Sequence, residues 1–593
     1  MSREAFTWVE IDVDGCDLTF GVGACPAFLG SGINGAQRKC YNLYDTCAAK
    51  DAFSHKKAWR TMRYCQPRSS LPKGRTWYPV MQGEPSEFSA TVNIAGSDSN
   101  LSAFGRRATV SVSLTDFPDH ERYWDQYQAE RVSGAAQLDG IGYNPFKRGT
   151  HFGKLKRRWP YYASRPMRVM SGYIVNGDVT EVSTRHYILT KMEGPDSSGR
   201  VTIEAEDVLN LADNDRTRVP AASNGKLVSD MDDALTPFTL SPEGIGDIEY
   251  PASGRLRIGS ELLDFTRVGD VFTPTARGVN RTEASTHRAL DTAQIVKRFV
   301  GSRIDDAVED LLLSAGVDPS FIPKSDWAAE VTRWMASTFI TRDIAEPTGI
   351  KALMTSMVPL GFSLFWDAIA QKIRLKANRP VDGDVVWRIS DRNSIQNVSL
   401  REDDKQRASV VLFWTVQKDP TKSSTSQDNY SRTWASGDPS LLESWRYGGG
   451  AVKNFMCPWV DDGSDAIVRV ASGRLIDRFS TTPKFATLLI DAVKYKGISL
   501  TDVVELTTHG LQDDTGLELT ELYQVIQRSE PKSGEKIEVV VQRYQFDGRF
   551  AFAVPIGTPT YMLATPSQRD PGMFACDPVT LKMPNGDPPY EAI

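Results

Sequence analysis

No apolar run in this 593-residue chain approaches the roughly 18 residues that a bilayer-spanning helix needs, so a membrane role would be contact and not insertion. The chain lacks a Walker A loop, a His-Glu-x-x-His pair, a Gly-x-Ser-x-Gly elbow and an Asp-Phe-Gly set. The sequence handles of nucleotide hydrolysis, zinc proteolysis, serine hydrolysis and protein phosphorylation are therefore missing. Glycosidase carboxylate pairs have no local signature, and nothing here positively suggests one. The N-terminus shows neither the basic n-region nor the apolar h-region of a secretory signal, so an oxidising destination and a disulfide framework are unsupported. Cysteine is scarce beyond residue 65, where only Cys457 and Cys576 remain of seven.

What is present describes an ordinary folded protein: 40% hydrophobic, 10% aromatic and 24% charged residues. Single cores stop growing near 250 to 300 residues, so this length predicts three to five domains, soluble on their own. The net charge of −6 argues against wholesale nucleic-acid coating. Two local basic stretches stand out, Arg38 to Arg75 and Lys147 to Arg168, the second with Trp159, Tyr161 and Tyr162 interleaved. No recognisable DNA-reading module accompanies them, so both read as solvated or intersubunit surfaces.

The other five cysteines crowd into the first 65 residues as Cys16, Cys25, Cys40, Cys47 and Cys65. Their spacing contains no Cys-x2-Cys knuckle, so a structural zinc site is possible but not favoured. Buried, hydrophobe-like cysteines are the bland alternative. An iron–sulfur cluster tolerates such irregular spacing, because each iron corner wants only a soft anionic ligand. Gly30-Ser31-Gly32-Ile33-Asn34-Gly35 matches the dinucleotide-binding pattern by letter, but it lies between the candidate ligands and reads as a flexible wrap.

The stretch from Gly15-Cys16-Asp17 to Ala24-Cys25-Pro26, with Lys39-Cys40-Tyr41-Asn42 and Thr46-Cys47, resembles the N-terminal iron–sulfur motif of baseplate hub, or tail-tip, proteins of long-tailed phages and gene transfer agents. The segments Gly149 to Leu155, Arg158 to Tyr162 and Tyr250 to Glu261 are similar to the same family. The resemblance implies a [4Fe-4S] cluster held by Cys16, Cys25, Cys40 and Cys47, with Cys65 a spare or substitute ligand. It implies hub-type β-barrel domains and a non-enzymatic virion protein at the tail tip, assembled in the host cytoplasm. The partners it implies are two further copies in a homotrimer, a distal tail protein ring, a central tail fibre protein and a tape measure protein. DNA would pass only in transit, and the host cell surface would be met indirectly. The competing classes are an iron–sulfur enzyme, a nuclease or redox protein, and a zinc-stabilised tail assembly protein.

Hydrophobic periodicity and turn signals predict a multidomain, mainly β chain with α+β parts. Residues 1–66 read as the cysteine-rich metal-cluster module and 67–215 as a first hub barrel, with strands over 87–94, 108–114, 166–175, 182–192 and 201–205. Residues 216–300 read as a small β insertion domain, in which Glu261, Asp264 and His287 are packing groups rather than a catalytic or metal set. Residues 301–384 follow as a helix-and-hairpin α+β domain. There Ser302-x-x-Asp305 has capping-box spacing, Ile350 to Met357 make a second helix, and 362–366 and 372–376 a hairpin. Residues 385–555 read as a second hub domain with a helix near 467–479 and a long loop over 417–450. Residues 556–593 read as an extended C-terminal arm that orders on a partner, with Tyr561, Met562, Met573 and Phe574 as apolar anchors.

Overall fold

The structure is a computed structural model that describes residues 4–19, 22–26, 41–47, 49–88, 90–119, 149–212, 217–335, 339–381, 384–392, 395–437, 447, 449–532, 535–544, 551–552 and 590–591. Cys40, the glycine motif at 30–35 and nearly all of the C-terminal arm lie outside them.

Strand β1 (Glu4–Cys16) alternates Val9, Ile11 and Val13 on one face with Phe6, Trp8, Glu10 and Asp12 on the other. It runs between β2 (His55–Cys65) and β4 (Pro166–Val175), and the antiparallel order continues through β5 (Asp178–Glu193) and β6 (Arg200–Glu206) to β3 (Thr109–Thr115). Residues 78–88 close the circuit. Tyr78 and Pro79 pair with the end of β2, Val80 and Gln82 exchange hydrogen bonds of 2.8 Å with Thr115 and Ser113, and Ser86–Phe88 pair with the start of β3. Closure surrounds one core that includes Val9, Ile11, Tyr64, Val112, Val169 and Ile203, each fully buried aliphatic side chain contributing about 1.5–3 kcal/mol. Helix α1 (His151–Arg158) plugs it with Phe152 and Leu155.

The expected boundary at residue 66 does not appear. β1 and β2 are central strands of the barrel; Cys16 ends β1, Cys65 ends β2, and Cys25 and Cys47 lie in the loop between them. The expected strand over 87–94 is also cut short, at Phe88. Beyond it, Ala95 takes a positive φ of 47°, and Thr91 and Val92 bond instead to Gln527 and Ile526 of a distant strand.

The insertion forms a six-stranded sheet from Lys226–Leu227 to Ala293–Ile295, with its own core of Leu227, Phe238, Leu256, Phe265 and Phe272. A third core joins Val92 and Phe104 to the helices Ile304–Ser314, Lys324–Trp334, Ile350–Met357 and Asp465–Phe479, and to the hairpin Phe362–Asp367 with Lys372–Ala377. The capping box is not formed: Asp305 turns to Arg303 and Lys324, and Arg303 occupies the cap without a side-chain bond. The three-stranded sheet of Val410–Gln417, Tyr430–Gly437 and Val452–Met456 shares this core, so the expected division at 385 is replaced by a shared interior. Tyr430–Gly437 lies inside the expected loop. As a solvated edge strand it carries polar residues and reads as loop.

The second large sheet runs β7 (Val386–Ser390), β10 (Val503–Gln512), β11 (Glu518–Lys532), β12 (Lys536–Arg543), β9 (Lys484–Asp491) and β8 (Ile395–Glu402), around a core including Leu488, Val504, Tyr523 and Val539. Arg185 ties it to the barrel. It makes two 2.8 Å bonds to Glu87 and one of 3.0 Å to Glu530 of β11. Of the C-terminal arm, only Tyr590–Glu591 is described, paired with Ala551–Phe552.

Candidate metal centre

The cysteine loop, residues 17–54, leaves and re-enters the barrel at facing positions, since Cys16 pairs with His55. Cys16 ends β1 and is buried; its N–H donates to Asn42 O at 2.7 Å, and the Asn42 side chain donates back to Cys16 O at 3.3 Å. Asn42 does this from the left-handed region, φ 58°, which asparagine tolerates better than most residues. Cys25 closes a turn through Val22 O at 3.2 Å, with Gly23 supplying a φ of 61°. Cys47 closes a one-turn 3-10 helix through Tyr44 O at 3.1 Å. Leu43, 1% exposed, sits in the barrel core and anchors the loop.

Three thiols share this neighbourhood. Burial pushes the Cys47 thiol up, and the nearby Cys16 and Cys25 thiols oppose its ionisation further. The three sulfurs do not all lie within 4.8 Å of one another. A single tetrahedral zinc about 2.3 Å from each sulfur would need them closer than that.

Cys65 stands apart from this group. It pairs with Trp8, eight positions back along β1 from Cys16 and on the order of 25 Å away at about 3.3 Å per residue. It packs against Phe6, Trp8 and Trp77, and burial lifts its thiol to about 11. It cannot substitute for a ligand at Cys16, as the sequence had suggested.

The basic stretches serve this region structurally. From α1, the Arg158 guanidinium lies 3.6 Å over the Tyr41 ring, and Arg157 reaches Asp45 at 3.2 Å. Tyr44 meets Phe53 edge-on, and Lys50 lies over its ring. On the outer barrel face, Glu10 bonds Arg63 at 2.9 Å and Arg168 at 3.0 Å, and Asp12 bonds Arg168. Burial would raise the Asp12 carboxyl, but the hydrogen bond and charge of Arg168 hold it below its usual range. His151 is buried between Asp119, 2.9 Å from Nδ1, and the Tyr64 hydroxyl, 3.1 Å from Nε2.

Glu261 and His287 come together in the insertion, and Asp264 does not join them. Glu261 is fully buried and accepts from Arg277, from His287 Nε2 at 2.8 Å and from the N–H of Ser285 at 3.0 Å. Burial works against its charge, yet these bonds bring its carboxyl down to about 2. Asp264 pairs with Arg255 at 2.7 Å. Every carboxylate oxygen of Glu261 and Asp264 is engaged by a hydrogen-bond donor.

Sequence reading missed a cavity of about 240 Å³ between the insertion and the central core, lined by Arg255, Arg281, Arg298, Arg342, Asp343 and Asp461. Its carboxylates are taken: Asp343 by Arg255 and Arg298, Asp461 by Arg281. Arg342 is buried, stacks 4.7 Å over Trp459 and donates to Ser356 at 3.2 Å. The named residues come from five separate segments, so no local spacing could have announced them.

The chain is similar in part to tail and virion proteins of known structure. One is the tail protein from Neisseria meningitidis MC58, 9% identical over 78% of this chain and 92% of that one, with a TM-score of 0.35. Another is the prophage MuSo2 43 kDa tail protein from Shewanella oneidensis, 8% identical over 78% and 97%, TM-score 0.33. A chain of the virion of a native gene transfer agent particle is 12% identical over 55% and 85%, TM-score 0.28. No family model matches the chain, and no curated protein matches it.

Proposed function

We propose that this protein is a structural component of a phage-type tail, the baseplate hub at the tail tip, whose N-terminal loop holds a [4Fe-4S] cluster. The observation that carries the reading is the grouping of Cys16, at the end of β1, with Cys25 and Cys47 of the loop that follows it, at one end of a β-barrel. These are three of the four positions at which the sequence motif resembles the hub family; Cys40 is the fourth. The thiols also fit the group chemically, being soft ligands spread more widely than one ion requires. When bound, the cluster supplies a covalent cross-link among four points of a loop that has little core of its own.

In this reading three copies assemble beneath a distal tail ring, with a central fibre below and a tape measure protein above. The chain acts as a plug and connector rather than an enzyme. The satisfied Glu261–Arg277–His287 set and the paired cavity carboxylates support that part of it. The test is anaerobic purification followed by visible absorption, iron and sulfide analysis and negative-stain microscopy. A brown protein with about four irons per chain in threefold particles is the expected result; a colourless, iron-free monomer prepared under the same conditions overturns it.

A further inference from the structure

At the far end of the second sheet, three strands bring Asp391, His509 and Glu518 together, with one ligand atom from each within 4.8 Å of the others. Asp391 follows β7, which runs parallel to β10; His509 lies in β10; Glu518 opens β11 opposite Gln512. The pairing of β7 with β10 and of β10 with β11, with an irregularity between Thr507 and Gln512, brings them to one sheet end.

Each carboxylate is pinned by one oxygen and offers the other. Asp391 Oδ2 accepts the His509 N–H at 2.8 Å, and Glu518 Oε2 accepts from Arg392 at 2.6 Å. The remaining oxygens, Asp391 Oδ1 and Glu518 Oε1, are shielded from solvent and accept no hydrogen bond. Glu518 Oε1 stands 3.3 Å from His509 Nδ1. Orphaned buried carboxylate oxygens are costly unless a cation satisfies them. Anchoring one oxygen so that the other is aimed is also how ligating carboxylates are oriented by their outer partners.

We propose that Asp391, His509 and Glu518 bind a divalent transition metal, of which Zn²⁺ is the test case, through Oδ1, Nδ1 and Oε1. Ligands about 2.0–2.2 Å from one ion stand roughly 3–4 Å apart, so a small closure of the present arrangement suffices. The His509 side chain is 78% exposed, which leaves the outer side of the ion open to water. The ion would staple the ends of β7, β10 and β11, independently of the cysteine loop.

The test is calorimetric titration of full-length protein with Zn²⁺, wild type against His509→Ala, with Glu518→Gln as a second variant. His509 is exposed, so its truncation leaves the fold intact, and circular dichroism checks this. Because the thiolates also take zinc, the readout is the difference between proteins. The expected result is that wild type binds one more equivalent than either variant, or binds that equivalent at least tenfold more tightly. Equal stoichiometry and affinity in all three proteins overturns the proposal, as does a difference seen only at millimolar zinc.

Discussion

At the residue scale, position along the barrel separates two classes of cysteine that the sequence presents alike. Cys16 ends β1, and Cys25 and Cys47 close turns of the loop that follows it, whereas Cys65 and Cys457 sit in apolar surroundings that lift their thiols to about 11 and about 12. Replacing Cys16, Cys25 or Cys47 by Ser should strongly deplete bound iron in anaerobic preparations. Cys65→Ser should leave iron content unchanged and cost about 1–2 kcal/mol in denaturant unfolding, from a hydroxyl buried among tryptophans. Loss of iron on replacing Cys65 alone would contradict this division.

Two further side chains set the response to acid. His186 is held down to about 4 by burial and by the Arg168 charge, so it is neutral in the folded chain at pH values where the unfolded chain takes up a proton. Its effect on stability is absent above about pH 6.5 and grows as a loss of stability as the pH falls toward 4. Glu261 has the depressed carboxyl described above, and its contribution is present above about pH 4.5 and lost toward pH 2. Thermal melts across pH 2–8 should show both windows, with His186→Gln removing only the upper one. Glu261→Gln strands a buried Arg277 and should destabilise the insertion by about 3–5 kcal/mol.

At the element scale, Arg185 spans the barrel and the second sheet and is 5% exposed. Removing it strips Glu87 of its guanidinium partner and leaves Glu530 to Arg528 alone, 2.7 Å away, so Arg185→Ala should cost about 3–5 kcal/mol. A double-mutant cycle with Glu530→Gln should give a coupling well above that of a surface pair. Regular elements were the most legible in the sequence. The strand Pro166–Val175 and the helix Ile350–Met357 follow alternation and 3.6-residue periodicity to the residue. Legibility failed where partners are distant. Nothing near Thr91 signals its pairing with Gln527, and the polar strand Tyr430–Gly437 looks like loop because it lies on an edge. The cysteine set was readable by residue type and crowding, but the exclusion of Cys65 required the register of β1 against β2. Asp391, His509 and Glu518 share no spacing at all.

At the scale of the whole molecule, the basic stretches are largely answered from within. Glu10, Asp12 and Asp14 take up Arg63, Arg165 and Arg168, and α1 docks against the cysteine loop. With a net charge of −6, the free protein should bind duplex DNA no better than weak non-specific levels, about 10⁻⁴ to 10⁻⁶ M at physiological salt. Fluorescence anisotropy with random and phage-derived duplexes measures this, and nanomolar binding in either would refute it.

The facing of Cys16 and His55 has a consequence for how such a chain can change over time. The barrel's strands meet through hydrogen bonds that do not run through residues 17–54, so the loop is an appendix to a ring already complete. Closing a loop of this length costs on the order of 3 kcal/mol, and doubling it adds only about 0.6. Such a loop can lengthen, shorten or lose its cysteines while the ring persists. A chain with Cys25 and Cys47 both replaced by Ser should therefore keep its β-sheet circular dichroism, because the ring does not depend on them.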